Sequence, residues 1–140
     1  MKTLFFVLVA TLSIGSPAGA CTCIADTVSG ARDWADLVFA GEIKHIKQWS
    51  NPGQDGTGLL VTFQVADIWK GDVRRTAKIF ISSLDIACTG TVMQNGDRFI
   101  VYARQNGTNF AYAKTCIRTS NIKNADEDMR ILGRGRFPQK

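Results

Sequence analysis

Four cysteines, Cys21, Cys23, Cys88 and Cys116, constrain this 140-residue chain more than any other feature. What precedes them sets their chemistry. Lys2 gives the start a positive charge, residues 4–12 are almost wholly apolar, and Ser16 and Pro17 break the run before Ala18-Gly19-Ala20. That order is the signature of an export signal ending in small residues, so residues 1–20 read as a signal peptide and Cys21 as the first mature residue. The apolar run is well short of the roughly 20 residues needed to cross a bilayer. A lipidation site at Cys21 is the rival reading; such signals usually carry Leu three positions before the cysteine, and here Ala18 stands there.

An even number of cysteines in an exported chain implies two disulfides. Joining Cys21 to Cys23 would close a strained ring across one residue, so each reaches a distant partner. Spacing leaves Cys21–Cys88 with Cys23–Cys116, or the crossed pairing. Either way the loops are long, and each closure is worth roughly 4 kcal/mol in a chain-entropy account. Without the leader the chain has 120 residues, sixteen of them basic and twelve acidic, for a net charge of +4. This length suits one small domain, in which crosslinks supplement a modest core. The mild basic excess fits a polyanion-binding surface without requiring one.

Residues 27–37 have a capping Thr or Ser ahead of Ala31, Trp34 and Ala35, which predicts a short helix. Residues 37–47 are β-like, 50–58 are rich in Gly, Asn, Asp and Pro, and 59–71 alternate through Val61, Phe63 and Val65 as a half-buried strand. Further strands are expected at 77–83, 98–104 and 110–116, with a turn at 94–97 and a hairpin turn at 105–109. Asn124 and Glu127 form a capping box for a helix over 125–132 that Gly133 ends. The expected domain is 21–133, and 134–140 form a basic, frayed tail. Five strands with flanking helices imply a mainly β fold, a small antiparallel barrel of the OB type, although periodicity alone suits a β-sandwich nearly as well.

These residues resemble a known module. "CTC" at 21–23, "ADLVFAGEI" at 35–43, "FQVADIWKG" at 63–71, "ACTG" at 87–90, "GDRFIVYA" at 96–103 and "TCIRT" at 115–119 are similar to the netrin-like (NTR) domain, and in particular to the N-terminal inhibitory domain of the tissue inhibitors of metalloproteinases (TIMPs). The likeness covers essentially all of the mature chain. It implies an OB-like barrel stapled by Cys21–Cys88 and Cys23–Cys116. The third disulfide and the cysteine-rich second domain of the animal inhibitors are absent from this sequence, and other netrin-like modules inhibit no protease.

The chemistry that the resemblance implies has a physical basis. A catalytic zinc keeps one coordination position open. A first residue offers an α-amine and, three bonds away, its own carbonyl oxygen, which together close a five-membered chelate. The amine titrates about one unit above neutrality, so its unprotonated form is readily reached. Free termini fray and lose ordering entropy on binding. Disulfides from Cys21 and Cys23 would hold that pair still, with Thr22 facing the target's substrate pocket and Ile86, Ala87, Cys88 and Thr89 forming a second contact strip. The metal in question is the target protease's zinc; no intrinsic cofactor is expected.

Other candidates read as ordinary surface or core. His45, the only histidine, is expected at the rim or in the core. No nucleophile, phosphate-loop or paired-carboxylate motif is present, so the chain does not read as an enzyme. Phe63, Trp69, Phe80, Phe99, Tyr102, Phe110 and Tyr112 are read as core, not as a base-stacking platform, and export argues against nucleic acid. Arg74, Arg75, Lys78, Arg134, Arg136 and Lys140 are basic enough to hold an extracellular polyanion. Asn106-Gly107-Thr108 is a glycosylation sequon. The expected function is secreted inhibition of a zinc metalloproteinase; the alternative is a non-inhibitory module that binds a polyanion or protein through its basic surface.

Overall fold

In the computed structural model the described residues are 21, 23, 27–51, 56–105, 107 and 110–140. The predicted signal segment 1–20, Thr22, and Asn106 and Thr108 of the sequon lie outside them. Helix α1 (Val28–Trp34) starts where expected: the Thr27 hydroxyl accepts from the Gly30 amide at 3.0 Å. It ends before residue 37, because Ala35 is already extended.

Strands β1 (Leu37–Asn51) and β2 (Gly56–Lys70) form one long antiparallel hairpin. Both outrun expectation, and the loop predicted over 50–58 shrinks, because Trp49, Ser50 and Asn51 pair with Gly58, Thr57 and Gly56. Glycine in that stretch reads as a breaker, but at Gly58 it serves packing. A Cβ there would lie 2.6 Å from the Phe80 ring of the neighbouring strand.

Strand β3 (Thr76–Ser82) runs into helix α2 (Ser83–Thr89), an element not expected from sequence, which carries the predicted contact strip Ile86–Thr89. Short-range chemistry explains the helix. Ser82 Oγ accepts from the Leu84 amide at 3.2 Å, Asp85 sits in the first turn, and left-handed Gly90 (φ 66°) ends it. Strand β4 (Arg98–Arg104) follows, then β5 (Ala111–Ala113), shorter than the predicted 110–116 because residues 114–117 turn on an Ile117 N to Lys114 O bond of 2.9 Å.

The last strand, β6 (Ser120–Asn121), leads through a 3-10 turn (Ile122–Asn124) to α3 (Asp126–Leu132), which Gly133 ends as predicted. The predicted capping box does not form. Asn121 caps the 3-10 turn through the Lys123 amide, α3 has no side-chain cap, and Glu127 is drawn to Arg118 instead.

Five strands close into a ring in the order β1-β2-β3-β5-β4, with β4 pairing back onto β1; β6 pairs with β4 beside β5. This is the mainly β, five-stranded, twice-stapled architecture expected from sequence. Its joints are antiparallel except β3–β5, which is parallel at Ile79–Ala111 and Phe80–Tyr112, so the expected all-antiparallel closure needs that one correction. Parallel neighbours require a crossover, and α2 with β4 provides it. Inside the ring lie Phe39, Ile43, Val61, Phe63, Ile79, Ile81, Phe99 and Val101, with the Phe39 and Phe63 rings edge-to-face at 5.7 Å. The opposite face of β4 is buried too: Ile100 and Tyr102 pack with Val38 under α1 and α3.

Among the described residues no helix is long and apolar enough to cross a membrane. Truncating Phe63 to Ala is expected to cost about 3–5 kcal/mol in a denaturant melt, whereas Phe137→Ala should change stability by less than about 0.5 kcal/mol. The contrast follows from burial: Phe63 is fully buried and Phe137 is 81% exposed.

Candidate functional site around the paired cysteines

The four cysteines pair as Cys21–Cys88 and Cys23–Cys116, with Cα separations of 5.3 and 5.0 Å. Spacing alone had left the crossed pairing open. Cys88 lies in the last turn of α2, and Cys116 in the turn after β5. Two alternate residues of one short segment are thus tied to two different elements, while Cys21 and Cys23 themselves remain exposed.

Those two anchors are also joined to each other. The Thr115 amide donates to Asp85 Oδ2 at 2.5 Å, and the Thr115 hydroxyl donates to the Asp85 carbonyl at 2.9 Å. The same hydroxyl accepts from Thr89 Oγ1 at 2.9 Å. One carboxylate therefore locks the residue before Cys116 to the helix that carries Cys88. Thr115 is 8% exposed, so these bonds are partly shielded from competing water.

A second lock holds the other side of Cys116. Arg118, in a left-handed conformation (φ 55°), donates through Nε to Asp128 Oδ1 at 2.8 Å and through Nη2 to Asp128 Oδ2 and Glu127 Oε2, both at 2.7 Å. Tyr102 Oη donates to Asp128 Oδ1 at 2.6 Å. Thr119 Oγ1 accepts from the Tyr102 amide at 2.9 Å, tying the next residue to β4. Burial alone would push the Asp128 carboxyl up, but the bonds from Arg118 and Tyr102 outweigh it and hold the group below the usual carboxylate range. Burial and the same carboxylate push the Tyr102 phenol well up, and the bond to Asp128 raises the Arg118 guanidinium.

Beside the Cys23–Cys116 bridge opens a polar hollow of about 280 Å³, lined by Thr89, Thr115, Arg118, Ser120, Asn124 and Asp128 as well as both cysteines. The predicted contact strip is only partly on the surface. Ile86 turns in against the core and Cys88 is half-buried, which leaves Ala87 and Thr89 exposed. Leu84, one turn before Cys88, and Val92, just past α2, are apolar side chains 73% and 69% exposed that sequence reasoning missed. Asp85, Arg118 and Asp128 were missed as well, since charges that pair across 10 to 30 residues leave no local spacing signal.

His45 is exposed on β1, in register with Thr62, and so is not part of the core. Phe63, Phe99 and Tyr102 are fully buried and Phe80 nearly so, while Trp69, Phe110 and Tyr112 are partly buried. Neither the family models nor the curated proteins include a match to this chain.

Replacing Asp128 by Asn removes the more buried of Arg118's two counter-charges and is expected to cost about 3 kcal/mol near neutral pH. Because the folded carboxyl titrates below its unfolded value, that stabilisation is complete above about pH 5 and is lost as pH falls through the folded value. Equilibrium unfolding of both proteins between pH 7 and 2 checks this: the two stability curves should converge at the acid end.

Proposed function

We propose that this chain is a secreted, TIMP-like inhibitor of a zinc metalloproteinase that acts through the amine and carbonyl oxygen of Cys21 after the leader is removed. The observation that supports the reading is the double tether: exposed Cys21 and Cys23 are bridged to α2 and to the 114–117 turn, and Asp85 and Thr115 bind those two elements together. A chelating pair gains affinity when it is held in place before binding, because less ordering entropy is lost on contact. The resemblance to the netrin-like module supplies the rest.

In this reading the carbonyl oxygen and unprotonated amine of Cys21 would both bind the target's zinc, taking the place of its water and adding a fifth ligand. Thr22 enters the adjoining pocket, and Ala87 and Thr89 flank it. Leu84 and Val92 extend the contact with apolar area. Secretion follows from the leader and agrees with two disulfides, which persist in oxidising compartments.

The test takes the mature protein, its first residue confirmed as Cys21 by intact mass, against a panel of zinc metalloproteinases. Acetylating the amine, or placing one alanine before Cys21, should weaken inhibition at least a hundredfold while leaving the melting temperature within a few degrees. Inhibition that survives either change would contradict the chelation mechanism.

A further inference from the structure

A row of side chains on the outer wall of the ring is apolar in the middle and cationic at both ends. Partners across the ladders set it out: Lys47 stands opposite Leu60, Leu60 opposite Phe80, Phe80 opposite Tyr112, and Tyr112 opposite Arg104. Their neighbours along the strands, Ile46, Val61, Ile79, Ala113 and Ala103, pack inside the ring, so alternation turns this row outward. Gly58, beside the row, leaves the space that the Phe80 ring fills. Trp49 on β1 and Phe110 just before β5 meet edge to face at 5.5 Å, and Trp34 of α1 meets Tyr112 in the same way at 6.0 Å. Leu60 and Phe80 are covered, whereas these four rings are only partly buried.

The end cations are held over the rings. Lys47 Nζ lies 5.5 Å from the centre of the Trp49 ring, and Arg104 Cζ 5.8 Å from that of Trp34. Both cations are exposed, and among the described residues neither belongs to an ion pair. Four strand spacings, about 19 Å, separate them around the wall. The row and its rings carry no carboxylate. The nearest to Trp34 along the chain are Asp33, exposed on α1, and Asp36, which accepts from the Gln105 amide at 2.8 Å.

We propose that this face seats the protein on an anionic bilayer surface, its four rings among the headgroups and Lys47 and Arg104 on lipid phosphates. Tryptophan and tyrosine settle at a membrane–water boundary because their rings are apolar and their N–H and O–H groups polar. Cations beside them add attraction to anionic headgroups. Shape and charge select this occupant. The outer wall of a closed ring is convex, which suits a broad, soft surface and not an extended peptide that needs a groove. Aligned on a second copy, the row would set cations against cations at both ends. The face uses none of the residues of the inhibitory reading, so each stands without the other.

The experiment is cosedimentation of the mature protein with vesicles of equal parts phosphatidylcholine and phosphatidylglycerol. Trp49→Ala with Phe110→Ala should weaken binding about tenfold through lost apolar contact. Lys47→Gln with Arg104→Gln should weaken it about thirtyfold, the scale of two cations near a charged bilayer. The same charge loss at Arg74 and Arg134, outside the row, should stay within about threefold. Single-tryptophan forms add a readout that truncates no ring. With Trp49 alone retained (Trp34→Phe, Trp69→Phe), brominated lipids should quench the fluorescence. With Trp69 alone retained (Trp34→Phe, Trp49→Phe), whose indole is bonded to the Gly133 carbonyl, they should not. Equal losses at Arg74 and Arg134, equal quenching of the two tryptophans, or full binding by the Trp49 and Phe110 variant would each overturn the proposal. Release from the vesicles by polyglutamate of matched charge would overturn it too, in favour of an acidic protein.

Discussion

Strand β1 has to serve two neighbours at once. Residues Val38–Glu42 pair with β2 on one edge and β4 on the other, and this double pairing turns a sheet into a ring. Three register shifts along the β1–β2 ladder give the strand the curl that closure needs. Gly41 lies within this stretch, and a Cβ there would sit 2.8 Å from the Gln64 carbonyl, so a side chain would force the two strands apart beside the register shift at Ala40–Gly41. Inward positions then alternate through Phe39, Ile43, Phe63 and Phe99, and the core follows from the closure.

The ring leaves α2 and the turn after β5 at one end, and both disulfides land there. A crosslink by itself fixes a distance, not an orientation. Orientation comes from the polar locks around it: Asp85 joins Thr115 to α2, and Asp128 joins Arg118 to β4 and α3. The anchor turn holding Cys116 is thus clamped on both sides. Cys21 and Cys23 are therefore bridged to elements that are themselves held in place, the arrangement on which the proposed inhibitory reading draws.

Much of this was legible from sequence where the signal is local. Alternation through Val61, Phe63 and Val65 located β2, Thr27 marked the start of α1, and Gly133 the end of α3. The mature cysteines announced two bridges, and the family resemblance picked the pairing that forms. Signals that depend on partners far along the chain were not readable. The parallel β3–β5 joint depends on a crossover, and Glu127 left its predicted cap because Arg118 offered a stronger charge partner. Helix α2 was missed for a different reason: its seven residues are too few to show a period, and only Ser82 and Gly90 frame it. At the candidate site the cysteines were visible and their supports, Asp85 and Asp128, were not.

Chelation by Cys21, as proposed, requires one short segment to be stiff. Backbone relaxation of the uniformly nitrogen-15-labelled mature protein reads it directly at the Cys23 amide. A preorganised segment predicts an order parameter near that of the ring strands, about 0.85, whereas a value below about 0.6 would mean that the two bridges leave the terminus loose and would contradict the account.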